Sequence, residues 1–337
     1  MANPVLIEVT RGDLVESCHR GAIAVVDADA REVMGLGDID APIYPRSAVK
    51  VIQALPLVES GAADALGFGE QELAMACSSH VAEPAHVEMI RSMLARAGLT
   101  HEALECGTHW PSIGHAARAL ASSGETPTAL HNNCSGKHAG FLCTSVHLGI
   151  DPKGYVRRDH PVQHQVTAAL EQVIGTAHTV EHCAPDGCSI PTHAVPLKNL
   201  ALGFARMATG KDLSQQRADA ARRLFQACFN QPFFVEGTRR PCSLMLEAGA
   251  GDVFAKNGAE GVYCGAIPSL GLGIALKCDD GNMRAAAPAF AAVVARLLER
   301  GGEVQSRFAE LATKPLKNHN GWTIGEIHPS GELSLNS

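Results

Sequence analysis

The chain has 337 residues and a net charge of −7, with 46% hydrophobic and 19% charged residues, values typical of a globular protein with a sizeable core. The acidic balance and the lack of a dense Lys/Arg cluster argue against nucleic acid as a partner. No uncharged apolar stretch of about 20 residues occurs, so we expect no membrane span. Residues 1–13 show no signal-peptide pattern. Eleven cysteines are then expected to be reduced thiols or metal ligands, which predicts a cytoplasmic protein.

The predicted elements begin and end with strands. The first strands are predicted at 5–9, 21–26 and 32–34. Helical patterns then predict helices at 46–60, 84–98, 112–123, 135–148, 160–174, 197–209, 213–229 and 238–249. Strands return at 253–255, 261–267 and 273–277, and a helix at 282–300 precedes a final hairpin formed by 323–327 and 332–333.

Strands at both ends of the chain around a helical middle predict an α+β fold. We expect one antiparallel sheet built from the N- and C-terminal strands, with a largely helical middle. Residues 1–337 would form a single functional unit. Its sheet subdomain would come from 1–45 and 250–337, and its helical subdomain from 46–249.

A serine three residues before a lysine marks the start of the first predicted helix. On a helix Ser47 and Lys50 would share one face, where a neutral lysine can take the hydroxyl proton and make the serine a nucleophile. Such a pair is usually inert on a solvated helix, and Ser47 is also placed to cap the helix. The run Lys256-Asn257-Gly258 favours the catalytic interpretation. Ser-x-x-Lys hydrolases similar to penicillin-binding proteins and class A β-lactamases carry a Lys-Thr-Gly in a comparable place.

A second candidate hydroxyl is Ser79, which follows an apolar, helix-like stretch. One interpretation is a simple turn after a helix. The other places Ser79 in the same pocket as a second Ser–Lys pair, with Lys256 as its partner. Spacing alone leaves both open.

Cys134, His138 and Cys188 are candidate metal ligands. Cys134 and His138 lie four residues apart, a spacing that suits one helix face, and Cys188 could close a site from a distant loop. Thiolate and imidazole are ligands that Zn²⁺ binds in tetrahedral geometry. Free cysteine is also among the most buried residue types, so a purely structural role stays open.

Taken together, the motifs resemble those of the rhizobial (class 3) type of L-asparaginase, a family similar in fold to glutaminases and serine β-lactamases. The resemblance covers nearly the whole chain. It rests on Tyr-Pro-Arg-Ser-Ala-Val-Lys at 44–50, Cys-Ser-Ser-His at 77–80, His-Asn-Asn-Cys-Ser-Gly-Lys-His at 131–138, Asp-Gly-Cys at 186–188 and Ala-Lys-Asn-Gly-Ala-Glu-Gly at 255–261.

The resemblance implies a homodimeric L-asparagine amidohydrolase that forms an acyl-enzyme and holds a zinc ion. The residues it implies are Ser47, Lys50, Ser79 and Lys256 for catalysis, Arg46, His138 and Asp186 for substrate binding, and Cys134, Lys137 and Cys188 for zinc. The choice of Lys137 as a ligand comes from the resemblance alone, since spacing favours His138.

Two rival activities deserve comparison with this one. A β-lactamase-like serine esterase or amidase acting on another small amide would use the same Ser-x-x-Lys, but no Ser-Asp-Asn follows Ser47. A zinc nucleotide deaminase is suggested by His86-x-Glu88. It also needs Pro-Cys-x-x-Cys, and Met245 stands where the second cysteine belongs.

Overall fold

The structure is a computed structural model that describes residues 2–335; Met1, Asn336 and Ser337, at the ends of the predicted ranges, lie outside it. The strands, in chain order, are β1 (Val5–Arg11), β2 (Leu14–Asp27), β3 (Glu32–Leu36), β4 (Pro42–Ile43), β5 (Cys183–Pro185), β6 (Pro191–His193), β7 (Val195–Pro196), β8 (Phe254–Gly258), β9 (Val262–Ile267), β10 (Leu272–Cys278), β11 (Lys314–Lys317) and β12 (Thr323–Pro329).

The α-helices, in the same order, are α1 (Lys50–Gln53), α2 (Leu55–Glu59), α3 (Ala62–Ala65), α4 (Glu70–Ala76), α5 (Pro84–Arg96), α6 (Gly114–Ser122), α7 (Ser135–His147), α8 (Pro161–Ile174), α9 (Leu197–Thr209), α10 (Gln215–Asn230), α11 (Pro232–Val235), α12 (Pro241–Ala248), α13 (Met283–Leu297) and α14 (Glu303–Ala312). Over residues 2–335, none of the helices is long and apolar enough to cross a membrane.

The chain forms two compact units, each assembled from separate stretches of sequence. Unit 1 consists of residues 2–48, 195–205 and 245–335, and unit 2 of residues 49–194 and 206–244. Residues 195–205 belong to unit 1 because β7 pairs with β4.

Unit 1 is built on an antiparallel sheet, which confirms the predicted α+β fold with strands from both ends of the chain. Within the described residues, eight strands form it, in the order β11-β12-β1-β2-β10-β9-β8, with β3 also paired to β2. The N-terminal strands meet the C-terminal ones in two places: Ile7 lies opposite Pro329, and Val25 lies opposite Ile274.

Helices cover both faces of this sheet. On one face α13 packs against the strands, and the ring of Phe290 lies 4.9 Å from that of Tyr263 in β9. The register places Phe254 of β8 on the other face, where its ring lies 6.0 Å from Phe204 of α9. The central strands are therefore continuous apolar runs instead of alternating apolar and polar residues.

Unit 2 is largely helical, as predicted for the middle of the chain. Its most buried helix is α7, in which every residue from Ser135 to Ser145 is buried. A helix that is covered all round must be surrounded by others, and α2, α3, α4, α5 and α8 pack against it. The hairpin of β5 and β6 carries the loop that contains Asp186 and Cys188.

Two predicted helices differ from those observed. The segment 46–60 is not one helix: it consists of a 3₁₀ turn, Arg46–Val49, followed by α1 and α2. Pro56 lacks the N–H that a continuous helix would need there, so a new helix starts instead. The helix predicted to reach residue 300 ends at Leu297.

The C-terminal hairpin was predicted with the wrong partner. The observed hairpin pairs β11 with β12, while the segment predicted as its second strand lies in the 3₁₀ turn Gly331–Leu333. The β11 sequence, Lys-Pro-Leu-Lys, has a proline and two lysines, which are typical of an edge strand and weaken the strand pattern. Helix α14 was not predicted.

Candidate active site

Ser47 lies in the 3₁₀ turn that leads into α1. The residue before it, Arg46, has a φ of +52°, in the left-handed region that few non-glycine residues adopt. Such backbone strain persists only where the surrounding fold enforces it, and it is concentrated at functional sites. The local geometry therefore agrees with a reactive role for this serine.

Within unit 1, the glycine of the Lys-Asn-Gly run packs directly against this turn. The turn is closed by the Ala48 N–H, which donates to the Pro45 carbonyl at 3.1 Å. A Cβ atom added at Gly258 would lie 2.3 Å from that same carbonyl oxygen and 3.2 Å from the Ala48 nitrogen. Only glycine fits here, and two motifs about 200 residues apart in sequence are neighbours in space.

Lys50 is fully buried in unit 2 and contacts Ser79. Its Nζ lies 3.0 Å from the Ser79 Oγ, 2.6 Å from the Ser78 carbonyl oxygen and 3.3 Å from the Asn133 carbonyl oxygen. When the amine is neutral, the two carbonyls can accept both of its hydrogens, and its lone pair can then take up a proton. This set of partners suits a lysine that acts as a base.

Ser79 contacts Lys50, the lysine of the other predicted pair, whereas its own predicted partner is Lys256. Ser79 is held by its backbone N–H, which donates to the Val235 carbonyl at 2.9 Å. Lys256, fully buried in β8 of unit 1, donates to the carbonyl oxygen and the Oδ1 of Asn257 at 3.1 and 2.8 Å. The pairing of Ser47 with Lys50 remains a prediction, and so does that of Ser79 with Lys256.

His109 is a contributor that the sequence did not reveal. Its Nε2 accepts from the Asn133 N–H at 2.9 Å, and its Nδ1 lies 2.8 Å from the Trp110 carbonyl, so Nδ1 carries the hydrogen. His109 thereby holds the backbone at Asn133, whose carbonyl oxygen accepts a hydrogen bond from the Lys50 amine. No short motif contains it, because it lies in a loop 24 residues before its partner.

The three predicted zinc ligands meet in unit 2, and all three are buried. The Lys137 Nζ donates to the Cys188 Sγ at 3.2 Å. The Cys188 thiol donates to Cys134, and this bond, together with Lys50 and Lys137 in their protonated forms, lowers the pKa of Cys134 well below its usual range. Two sulfurs and an amine in one buried group are donors that suit Zn²⁺.

A ligand set that includes His138 is not formed. Over residues 2–335, no group of three His, Cys, Asp or Glu side chains is arranged to hold a metal ion. The Nδ1 of His138 instead lies 2.7 Å from the Tyr155 hydroxyl. Burial, together with the charges of Lys137 and Lys50, lowers the pKa of His138 well below its usual value, so its ring is neutral.

The remaining predicted substrate-binding residues are only partly buried. Asp186 lies in the turn that ends at Ser189, and its negative charge acts on Lys137. Arg46 lies directly before Ser47, at the left-handed position described above. A carboxylate and a guanidinium are the groups expected for the two charged ends of an amino acid.

Comparison with known proteins gives one match to a family and several to solved structures. No curated protein matches the chain. The sequence model of the L-asparaginase II family matches residues 7–329. The chain is similar to a β-lactamase from Mycobacterium bovis, with 16% identity and a TM-score of 0.42, over 82% of this chain and 94% of that one. It is also similar to the protein Mglu, with 16% identity and a TM-score of 0.37, over 84% of this chain and 68% of that one.

Proposed function

Because the chain belongs to the L-asparaginase II family, we propose that it hydrolyses L-asparagine to L-aspartate and ammonia. The family match spans residues 7–329 and so includes every residue assigned to the site. The observation that carries the proposal within the site is the buried Lys50 with the Ser79 hydroxyl at 3.0 Å. A serine–lysine site of this kind suits acyl transfer from an amide.

In the proposed first step, Lys50 takes the proton of Ser47, whose oxygen attacks the side-chain carbonyl of asparagine. The resulting oxyanion would accept hydrogen bonds from backbone N–H groups near Ser47. Collapse of this tetrahedral intermediate breaks the C–N bond. The proton held by Lys50 then passes, by way of the Ser79 hydroxyl, to the leaving nitrogen, which departs as ammonia.

In the second step water hydrolyses the β-aspartyl ester. Lys50, neutral again, takes a proton from the water, and the same proton returns to the Ser47 oxygen as the ester bond breaks. No net charge or proton is left on the enzyme. The carboxylate of Asp186 and the guanidinium of Arg46 would hold the α-amino and α-carboxylate groups of the substrate throughout.

The donor set of Cys134, Lys137 and Cys188 fits the zinc ion that the resemblance implies. When bound there, Zn²⁺ would supply a fixed positive charge that shapes the pocket and anchors the ends of the substrate. Lys137 would have to bind as a neutral amine and both cysteines as thiolates, so metal binding would release protons. The homodimer and the cytoplasmic location stay predictions.

The direct test is ammonia release from L-asparagine by the purified protein. The same preparation is assayed with nitrocefin, a chromogenic β-lactam, and with simple esters. Saturable ammonia release with no nitrocefin hydrolysis would support the proposal. Turnover of nitrocefin or of esters without any ammonia from asparagine would replace it with the esterase or amidase alternative.

Metal content gives a separate prediction. We expect protein purified without chelators to carry about one zinc per chain, and the metal to be lost in Cys134→Ser and Cys188→Ser, because each removes a thiolate ligand. Elemental analysis of the purified variants measures this. Cys183→Ser is the matched control, since Cys183 lies in β5 and outside the buried donor group. Zinc-free wild-type protein would contradict the assignment.

The length of the substrate's side chain gives another testable prediction. We expect kcat/KM for L-glutamine to be about a hundredfold below that for L-asparagine. One extra methylene moves the amide by more than about 1 Å if the α-amino and α-carboxylate groups are fixed, and misplacement on that scale costs roughly this factor. Ammonia release at matched concentrations of the two amides is the measurement. Equal kcat/KM values would mean that the ends of the substrate are not held as proposed.

A further inference from the structure

Tyr155 joins the site through His138, and nothing in the sequence motifs assigns it a role. Its side chain is fully buried in unit 2. The Tyr155 oxygen accepts from the Glu105 N–H at 2.9 Å, and the hydroxyl lies 2.7 Å from the Nδ1 of His138. The two rings meet edge-on, with their centroids 5.4 Å apart.

The positions of the hydrogens follow from this set of partners. Burial raises the pKa of Tyr155, so the hydroxyl keeps its hydrogen. If Nδ1 of His138 carried a hydrogen too, the Tyr155 hydroxyl hydrogen would have no acceptor among the bonds of residues 2–335, which is costly for a buried donor. The hydroxyl therefore donates to an Nδ1 that carries no hydrogen, so the imidazole is neutral and its one hydrogen lies on Nε2.

That Nε2–H is itself buried and has no partner within the described part of the chain. A buried donor of this kind requires an acceptor. An N–H group pairs with an oxygen acceptor and never with a cation, and a negatively charged oxygen gives the stronger bond.

We infer that Tyr155 is a positioning residue, whose hydroxyl fixes His138 as the Nε2–H tautomer and so presents that N–H to a carboxylate oxygen of the substrate. The identity of the acceptor rests on the proposed function; the tautomer does not. Without the hydroxyl, the imidazole can adopt either tautomer, and the form with a lone pair on Nε2 repels a carboxylate.

A double-mutant cycle tests whether Tyr155 acts through His138. We expect Tyr155→Phe to raise KM for L-asparagine about 5- to 30-fold with kcat changed less than about twofold, as for the loss of one hydrogen bond that holds substrate and transition state equally. In a His138→Gln background, whose amide donor needs no help from Tyr155, the same change should alter KM less than about twofold. Equal rises in both backgrounds, or no rise in either, would overturn the inference.

The control variant is Ser145→Ala, which removes another buried hydroxyl, from the helix α7 that carries His138. Within residues 2–335 the Ser145 hydroxyl donates to the Phe141 carbonyl at 2.9 Å, far from any proposed substrate contact of this helix. Its loss should leave KM within about twofold of the wild-type value. A rise in KM as large as that of Tyr155→Phe would show that any lost buried hydroxyl has this effect, and would overturn the assignment.

The tautomer can be measured on the full-length protein without any turnover. In protein labelled with ¹⁵N-histidine, the His138 signals are those missing from His138→Gln. We expect the wild-type ring to be protonated on Nε2 and bare on Nδ1, and Tyr155→Phe to give a mixture. A wild-type ring protonated on Nδ1 overturns the inference. Failure of the wild type to release ammonia from asparagine would defeat the proposed function instead, and leaves this measurement valid.

Discussion

Ser47→Ala should abolish ammonia release while leaving the fold intact. Ser47 is the proposed nucleophile, and alanine removes the oxygen that forms the acyl-enzyme. We expect kcat to fall at least about a thousandfold, which corresponds to about 4 kcal/mol of barrier. A coupled ammonia assay measures the activity, and circular dichroism with thermal unfolding checks the fold.

The matched control is Ser123→Ala at an exposed serine in unit 2, whose hydroxyl donates to the Leu120 carbonyl. It should keep wild-type kcat. If Ser47→Ala retained more than about a tenth of wild-type kcat, Ser47 would not be the nucleophile, and Ser79, the hydroxyl that lies against Lys50, would be the first alternative to test.

Lys50→Met should be as damaging as the loss of the nucleophile, for a different reason. The variant keeps a side chain of similar length but has no amine to accept a proton, so we expect kcat to fall at least about a thousandfold. The carbonyls of Ser78 and Asn133 also lose a buried donor, which should lower the free energy of unfolding by about 1–3 kcal/mol. Kinetics and denaturant unfolding measure the two effects separately.

The variant Lys50→Arg distinguishes a general-base role of Lys50 from a purely electrostatic role. Arginine keeps the charge but cannot be deprotonated in a protein, so this variant should be as inactive as Lys50→Met. Lys153→Met, at an exposed lysine of unit 2, is the control and should leave kcat unchanged. An active Lys50→Arg enzyme would remove the general-base role and leave only an electrostatic one.

Hydrophobic patterning was enough to predict the class of fold, because burial imposes its own periodicity. The apolar runs of β9 and β10, and the patterns of α5, α7 and α8, appear where they were predicted, with ends shifted by at most two residues. The predicted strand at 21–26 is the apolar half of β2, which begins earlier, at Leu14. Prediction failed where a local pattern is weak. The lysines and proline of β11 conceal an edge strand, and the break at Pro56 divides a segment that looks like one helix.

The sequence could propose the candidate site as a set of residues, which stay predictions, but it could not propose their contacts. Ser-x-x-Lys is a local spacing, so it predicted the pair of Ser47 and Lys50. The contact between Lys50 and Ser79 joins residues 29 apart, and depends on how the loop after α4 is held. His109 and Tyr155 are harder still to predict from the sequence. Each is linked to a motif residue by a hydrogen bond, and no rule of sequence spacing predicts such a bond.

The way in which the chain returns to its first sheet has a consequence for its synthesis. β1 needs β12 as a neighbour, and the Glu326 N–H donates to the Thr10 Oγ1 across 316 residues of sequence. At about 5–20 residues per second, a ribosome takes roughly 15–60 s to make the intervening chain. The sequence of unit 2 is complete well before then and can fold first. Until β12 is made, β1 in the β1–β2 hairpin has an unpaired edge, and an unpaired strand edge is prone to aggregation.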